Sequence, residues 1–221
     1  MTVLGYIGSG KASEFAGAVQ ANKDEDAHYI NVQLADEDTL TPEALGLTLL
    51  LMQEARRQGV ELGIEIHRDT CTETPEKSYA LADAYQKVTG ELLPMTWDFS
   101  HFSVVKHLRP DNYAERLLVR PDLLQKAQQF HFRPFNGHHC QVPVTDGHGH
   151  LTAEVKDYLP LVEAVLKCWL SAKENAGRDL FAVPEMGPVS SGYNLSTLPS
   201  SWEDAKVLRV EIDKIWRRLT A

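Results

Sequence analysis

Short apolar runs alternate along the chain with longer segments in which apolar residues recur every three or four positions. The runs at 3–7, 29–34, 62–66, 93–97, 128–132 and 180–183 have strand length, and no pair of them is joined by a tight turn as in a hairpin. The pattern predicts an α/β fold. Two helix starts repeat one arrangement: Thr41-Pro42-Glu43 and Thr74-Pro75-Glu76 each offer a Thr cap, a Pro for the first turn and an acidic residue for the positive end of the helix dipole. Gly59 and Gly90 supply the stops. A last helix over 202–219 places Leu208, Ile212, Ile215, Trp216 and Leu219 on one stripe, as an outer packing helix does.

Three of the apolar runs end in, or enclose, a residue able to hold a metal. Glu65 lies in Gly63-Ile64-Glu65-Ile66, Asp98 follows Met95-Thr96-Trp97, and His131 stands between Phe130 and Phe132, 33 residues apart each time. That interval fits one strand with its crossover helix. Parallel units of this kind bring such side chains to the carboxyl ends of neighbouring strands, where barrel enzymes keep their chemistry. The fourth run ends in Val183-Pro184-Glu185, after a 54-residue step lengthened by the His-, Gly- and Pro-rich loop at 134–149. A carboxylate inside an apolar strand must find a cation or a dense set of hydrogen bonds, so Glu65, Asp98, His131 and Glu185 are read as one divalent-metal site. Oxygen-rich donors with one imidazole and no thiolate favour Mn²⁺ or Mg²⁺, with Zn²⁺ or Co²⁺ as alternatives.

Around this set, His101 lies just beyond the strand end and is read as a ligand or a substrate contact. His67, Arg68 and Arg133 are expected at the mouth of an acidic site, where they suit an anionic or polyhydroxyl substrate. Asp146 and His148, with His101, form a candidate second metal set, although Asp146-Gly147-His148-Gly149-His150 is also a turn-forming composition.

At 221 residues with 43% hydrophobic and 24% charged content, a single domain over 1–221 is expected. The net charge of −9 disfavours nucleic acid as the main partner, because backbone binding needs Lys and Arg to neutralise phosphates. No apolar run reaches membrane-spanning length and no secretory leader is read, so a cytoplasmic protein is expected. The three separated cysteines, Cys71, Cys140 and Cys168, fit reduced thiols in that compartment.

Taken together, Gly63-Ile64-Glu65-Ile66-His67-Arg68-Asp69-Thr70, Thr72-Glu73-Thr74-Pro75-Glu76, Asp98-Phe99-Ser100-His101, His131-Phe132-Arg133 and Pro184-Glu185-Met186-Gly187-Pro188 resemble the xylose-isomerase-like TIM-barrel superfamily of sugar isomerases, ketose 3-epimerases and endonuclease IV-type enzymes. The resemblance spans about residues 28 to 190. It implies a metal held by the residues matching Glu65, Asp98, His131 and Glu185, with His101 and Arg133 on the substrate. It also implies an isomerase or epimerase working by proton transfer through a metal-stabilised enediolate, with Glu65 and Glu185 as base and acid and a small sugar or polyol as substrate.

Two features depart from that pattern. Gln33 stands where the endonuclease branch places a metal-binding His, which counts against a trinuclear cluster and the alternative of phosphodiester hydrolysis. Only two strand-like runs precede Glu65, so the fold is expected to be a TIM-barrel-like β/α fold shortened by about two N-terminal units. Exposed parallel edges would then favour a homodimer or higher homo-oligomer. A non-catalytic metal- or carbohydrate-binding barrel is the third reading.

Overall fold

The computed structural model describes residues 2–221, which divide into two compact units: one runs to Trp97 and includes Lys126–Gln128, the other holds the remainder. In the first unit the order is β1 (Val3–Ser9), α1 (Ala12–Asp24), β2 (Ala27–Leu34), α2 (Thr41–Gln58), β3 (Leu62–Glu65), α3 (Pro75–Thr89) and β4 (Met95–Asp98), whose last residue opens the second unit. Neighbouring strands pair in parallel: Ser9 faces Leu34, Val32 faces Ile64, and Glu65 faces Thr96. Every strand therefore delivers its carboxyl end to the same rim.

Ile30, Val32, Leu62, Ile64 and Met95 are buried, as are Phe15 and Val19 of α1, Leu51 and Ala55 of α2, and Leu81 and Tyr85 of α3. Sealing each large apolar side chain from water contributes about 1.5–3 kcal/mol, which is what holds the helices to the sheet. Gly59 and Gly90 end α2 and α3 at φ 71° and 76°, a left-handed conformation that a Cβ disfavours. Thr74 caps α3 as its sequence suggests, its hydroxyl accepting from the Lys77 N–H at 3.3 Å. At α2 the expectation is off by one residue. Leu40 occupies the cap and Thr41 is already helical, so this start relies on Pro42 rather than on a side-chain cap.

The second unit contains α4 (Phe99–Lys106), α5 (Tyr113–Leu117), α6 (Pro121–Lys126, its last residue in the first unit), β5 (Gln129–His131), α7 (Ala153–Leu170), β6 (Phe181–Val183) and α8 (Ser201–Thr220). β5 and β6 run parallel, with His131 opposite Val183. α7 buries Val155, Tyr158, Val162, Val165 and Trp169, and α8 buries Leu208, Ile212 and Ile215 of the expected stripe. One buried residue of α8 breaks the apolar rule. Asp204 is 2% exposed and accepts from the backbone N–H of Val144 at 2.7 Å, the N–H of Thr145 at 3.2 Å and the Thr145 hydroxyl at 2.8 Å. The helix thereby pins the loop that follows β5.

Candidate metal centre

In the second unit the site is assembled at the strand ends. Asp98 closes β4 and caps α4: its Oδ1 accepts from the Ser100 N–H at 2.9 Å, and the first turn of that helix brings His101 Nε2 to 3.3 Å from Asp98 Oδ2. His131 closes β5. Beyond β6 the ladder continues, with Phe132 N–H donating to Val183 at 2.7 Å and Glu185 N–H donating to Phe132 at 3.2 Å. That extension carries Glu185 to His131, whose Nδ1 lies 2.7 Å from Glu185 Oε2, while Gln129 meets the other ring nitrogen at 2.6 Å.

Asp98, His131 and Glu185 each offer a ligand atom within 4.8 Å of the others. Asp98 is fully buried and His131 is 7% exposed. Asp98 Oδ2 and Glu185 Oε2 accept no bond in hydrogen-bond geometry among the described residues; Arg133 and His101 approach the first at 3.3 Å, and His131 Nδ1 lies 2.7 Å from the second. Two buried carboxylate oxygens with an imidazole between them in sequence fit a divalent cation by donor type.

Arg133 is the residue whose place differs most from expectation. Instead of standing at a mouth it is 1% exposed, with Nη1 3.3 Å from Asp98 Oδ2 and Nη2 donating to Glu185 Oε1. The ring of Tyr193 covers the guanidinium at 4.2 Å. Burial alone would raise the Asp98 pKa, but the charge of Arg133 and the nearby His101 outweigh it and hold the carboxyl well below the usual range. Burial likewise opposes the charge on Arg133, and Asp98 and Glu185 overcome it and push its pKa up. The loop bearing Tyr193 is clasped to the loop after β5: Gln141 donates to the Gly187 carbonyl at 3.0 Å and accepts from its N–H at 2.7 Å. A Cβ on Gly187 would stand 2.7 Å from the Tyr193 ring, so the close approach requires glycine there. Tyr193 and Gln141 escape a sequence reading because neither sits in an apolar run or at a strand end.

Asp146 is exposed and is used by its own turn, accepting from the His148 N–H at 2.8 Å and contacting His150 Nδ1 at 3.0 Å. His101, by contrast, is buried against Asp98.

In the first unit Glu65 ends β3 fully buried, its Oε2 accepting from Asn31 at 2.6 Å and from Gln33 at 2.9 Å. The Tyr6 hydroxyl donates to the Gln33 carbonyl oxygen at 2.9 Å, which fixes the amide with its NH₂ toward Glu65. Gln33 thus serves as a hydrogen-bond donor to the carboxylate. His67 and Arg68 follow Glu65 and line a cleft with Ser9, Gln33, Asp69 and Thr70, at the carboxyl ends of β1 to β3.

No family model matches the chain, and no curated protein matches it. Among solved structures, one described as a D-tagatose 3-epimerase-like protein aligns over 94% of this chain and 70% of its own, with a TM-score of 0.57 and 12% identity. That likeness shows the fold: a TIM-barrel-like parallel β/α architecture, here with six strands among the described residues where a complete barrel has eight. No helix among the described residues is long and apolar enough to cross a membrane.

Proposed function

We propose that the chain is a divalent-metal-dependent sugar isomerase or epimerase. The observation that carries this reading is the pair of buried carboxylate oxygens on Asp98 and Glu185 that accept no bond in hydrogen-bond geometry among the described residues, gathered with His131 at strand ends. Glu65 is the proposed fourth ligand, on the strength of its equal spacing in the sequence, its complete burial and its place at the end of β3. Mn²⁺ or Mg²⁺ suits the donor set best, with Zn²⁺ or Co²⁺ as alternatives. When bound, such an ion acidifies the C–H beside a substrate carbonyl and stabilises the charge that develops on oxygen.

The protein's own groups supply the rest. Glu65 and Glu185 are the proposed base and acid toward a small sugar or polyol. Asn31 and Gln33 orient Glu65 through their donated hydrogen bonds. His101, His67 and Arg68 are the proposed contacts to substrate oxygens, the last two in the cleft beside β3. Phosphodiester hydrolysis is disfavoured by the charge of −9 and by Gln33, an amide that cannot serve as an imidazole ligand would.

Self-association belongs to the same proposal. β1 presents Leu4 and Tyr6 at 36% and 56% exposure, and Phe181 and Val183 of β6 are only half-buried, so a second copy is the proposed cover for these strands.

The test is proton exchange. With Mn²⁺ supplied, ketoses incubated in deuterated water should incorporate deuterium at the carbon next to the carbonyl, and Glu65→Gln or Glu185→Gln should abolish it without loss of fold. Full exchange in either variant would refute the assigned roles. Metal bound without exchange on any ketose would favour the non-catalytic binding reading, and cleavage of an abasic-site oligonucleotide would favour the hydrolase.

A further inference from the structure

Arg133 is an arginine buried to 1% that nonetheless makes poor use of its donors. Nη2 donates to Glu185, while Nε and Nη1 find no acceptor in hydrogen-bond geometry among the described residues. Its contact with Asp98 is a 3.3 Å ionic approach rather than a hydrogen bond. Burying a guanidinium in this state is costly unless the charges around it require one. Two carboxylates do require one: Asp98 is fully buried, and Glu185 Oε1 and Oε2 are both occupied, one by Arg133 and the other by His131.

Resting on the metal reading of this site, we propose that Arg133 is a built-in counter-ion. It balances Asp98 and Glu185 when the site holds no metal, and it must withdraw from them when a divalent ion enters, so that the arginine sets the metal affinity. The positions leave little alternative to competition. Asp98 Oδ2 and Glu185 Oε1, the atoms Arg133 engages, belong to two of the carboxylates that would bind the ion, and two cations held within a few ångströms in a buried pocket repel strongly. Withdrawal breaks the hydrogen bond from Nη2 to Glu185. Tyr193 provides the seat, since its ring lies over the guanidinium and its loop is clasped at Gly187 by Gln141.

The experiment is calorimetric titration of Mn²⁺ alone into metal-stripped protein, paired with thermal unfolding with and without Mn²⁺. Arg133→Gln, which keeps polarity and removes the charge, should raise Mn²⁺ affinity by at least about tenfold, because the ion no longer competes with a resident cation. Its metal-free form should melt below wild type, with the deficit largely recovered by Mn²⁺. An Arg133→Gln protein that folds only with Mn²⁺ present would support the proposal equally. Tyr193→Leu, which removes the seat while leaving the charge, should raise affinity by a smaller factor. Wild type that binds Mn²⁺, together with Arg133→Gln and Tyr193→Leu that bind it no more tightly, would overturn the counter-ion role and leave the metal reading standing. Failure of wild type and Arg133→Gln alike to bind any divalent ion would overturn both.

Discussion

Arg133 Nη1 lies 3.3 Å from Asp98 Oδ2, and both side chains are almost wholly withdrawn from solvent. The pair joins a residue that ends β4 to one two positions beyond β5, and each owes its tolerable burial to the other. Removing one partner of a buried ion pair leaves an uncompensated charge, which typically costs roughly 3–5 kcal/mol. Arg133→Leu should therefore lower the unfolding free energy of the metal-free protein by about that amount in urea titrations. A loss below about 1 kcal/mol would show that Asp98 and Glu185 do not depend on the arginine.

The same pair sets an acid limit. The Asp98 pKa is depressed in the folded state, so its contribution to stability is complete above the unfolded-state value of about 4 and is lost as pH falls from there toward the folded value. The melting temperature of the metal-free protein should fall below about pH 4, and in Asp98→Asn this part of the pH dependence should be missing. An unchanged acid limb in Asp98→Asn would contradict the assignment.

Asp204 should matter more than its place on an outer helix suggests. Asp204→Ala leaves the N–H groups of Val144 and Thr145 without their acceptor, which predicts a loss of about 1–3 kcal/mol. Limited proteolysis should then cut first within the 143–151 loop, and a variant as protease-resistant as wild type would argue against the tether.

At the base of the first unit, Gly90→Ala should cost about 1 kcal/mol, because φ of 76° places a Cβ against the following carbonyl. The effect should appear in chemical denaturation with no change in metal binding, which separates a backbone effect from one at the site.

Much of this was legible in the sequence because β3, β4 and β5 are buried on both faces and so read as plain apolar runs. Each of the six expected runs coincides with a strand to within about two residues at either end. Asp98, His131 and Glu185 stood out as polar groups ending or interrupting those runs, and Glu65 likewise. Arg133 was visible as a charge but not as a buried counter-ion, since its partners are 35 and 52 residues away and nothing local distinguishes a buried arginine from a substrate contact. A strand period of two, which puts residue 133 on the same face as His131, was the one available signal. Helix α4 was missed because its first turn is the run Phe99-Ser100-His101-Phe102, where Asp98 serves as strand end and helix cap together. Tyr193, Gln141 and Asp204 act between loops or from a distant helix, relationships that periodicity does not carry.

The most direct test of the metal centre is the divalent-metal content of the stripped and reloaded protein, measured as Mn²⁺ per chain in wild type, Asp98→Asn and Glu185→Gln. One ion per chain in wild type, and a large loss of binding in both variants while they remain folded, is the expected result. Wild type that retains no divalent ion at any saturating concentration, or variants that bind Mn²⁺ as wild type does, would contradict it.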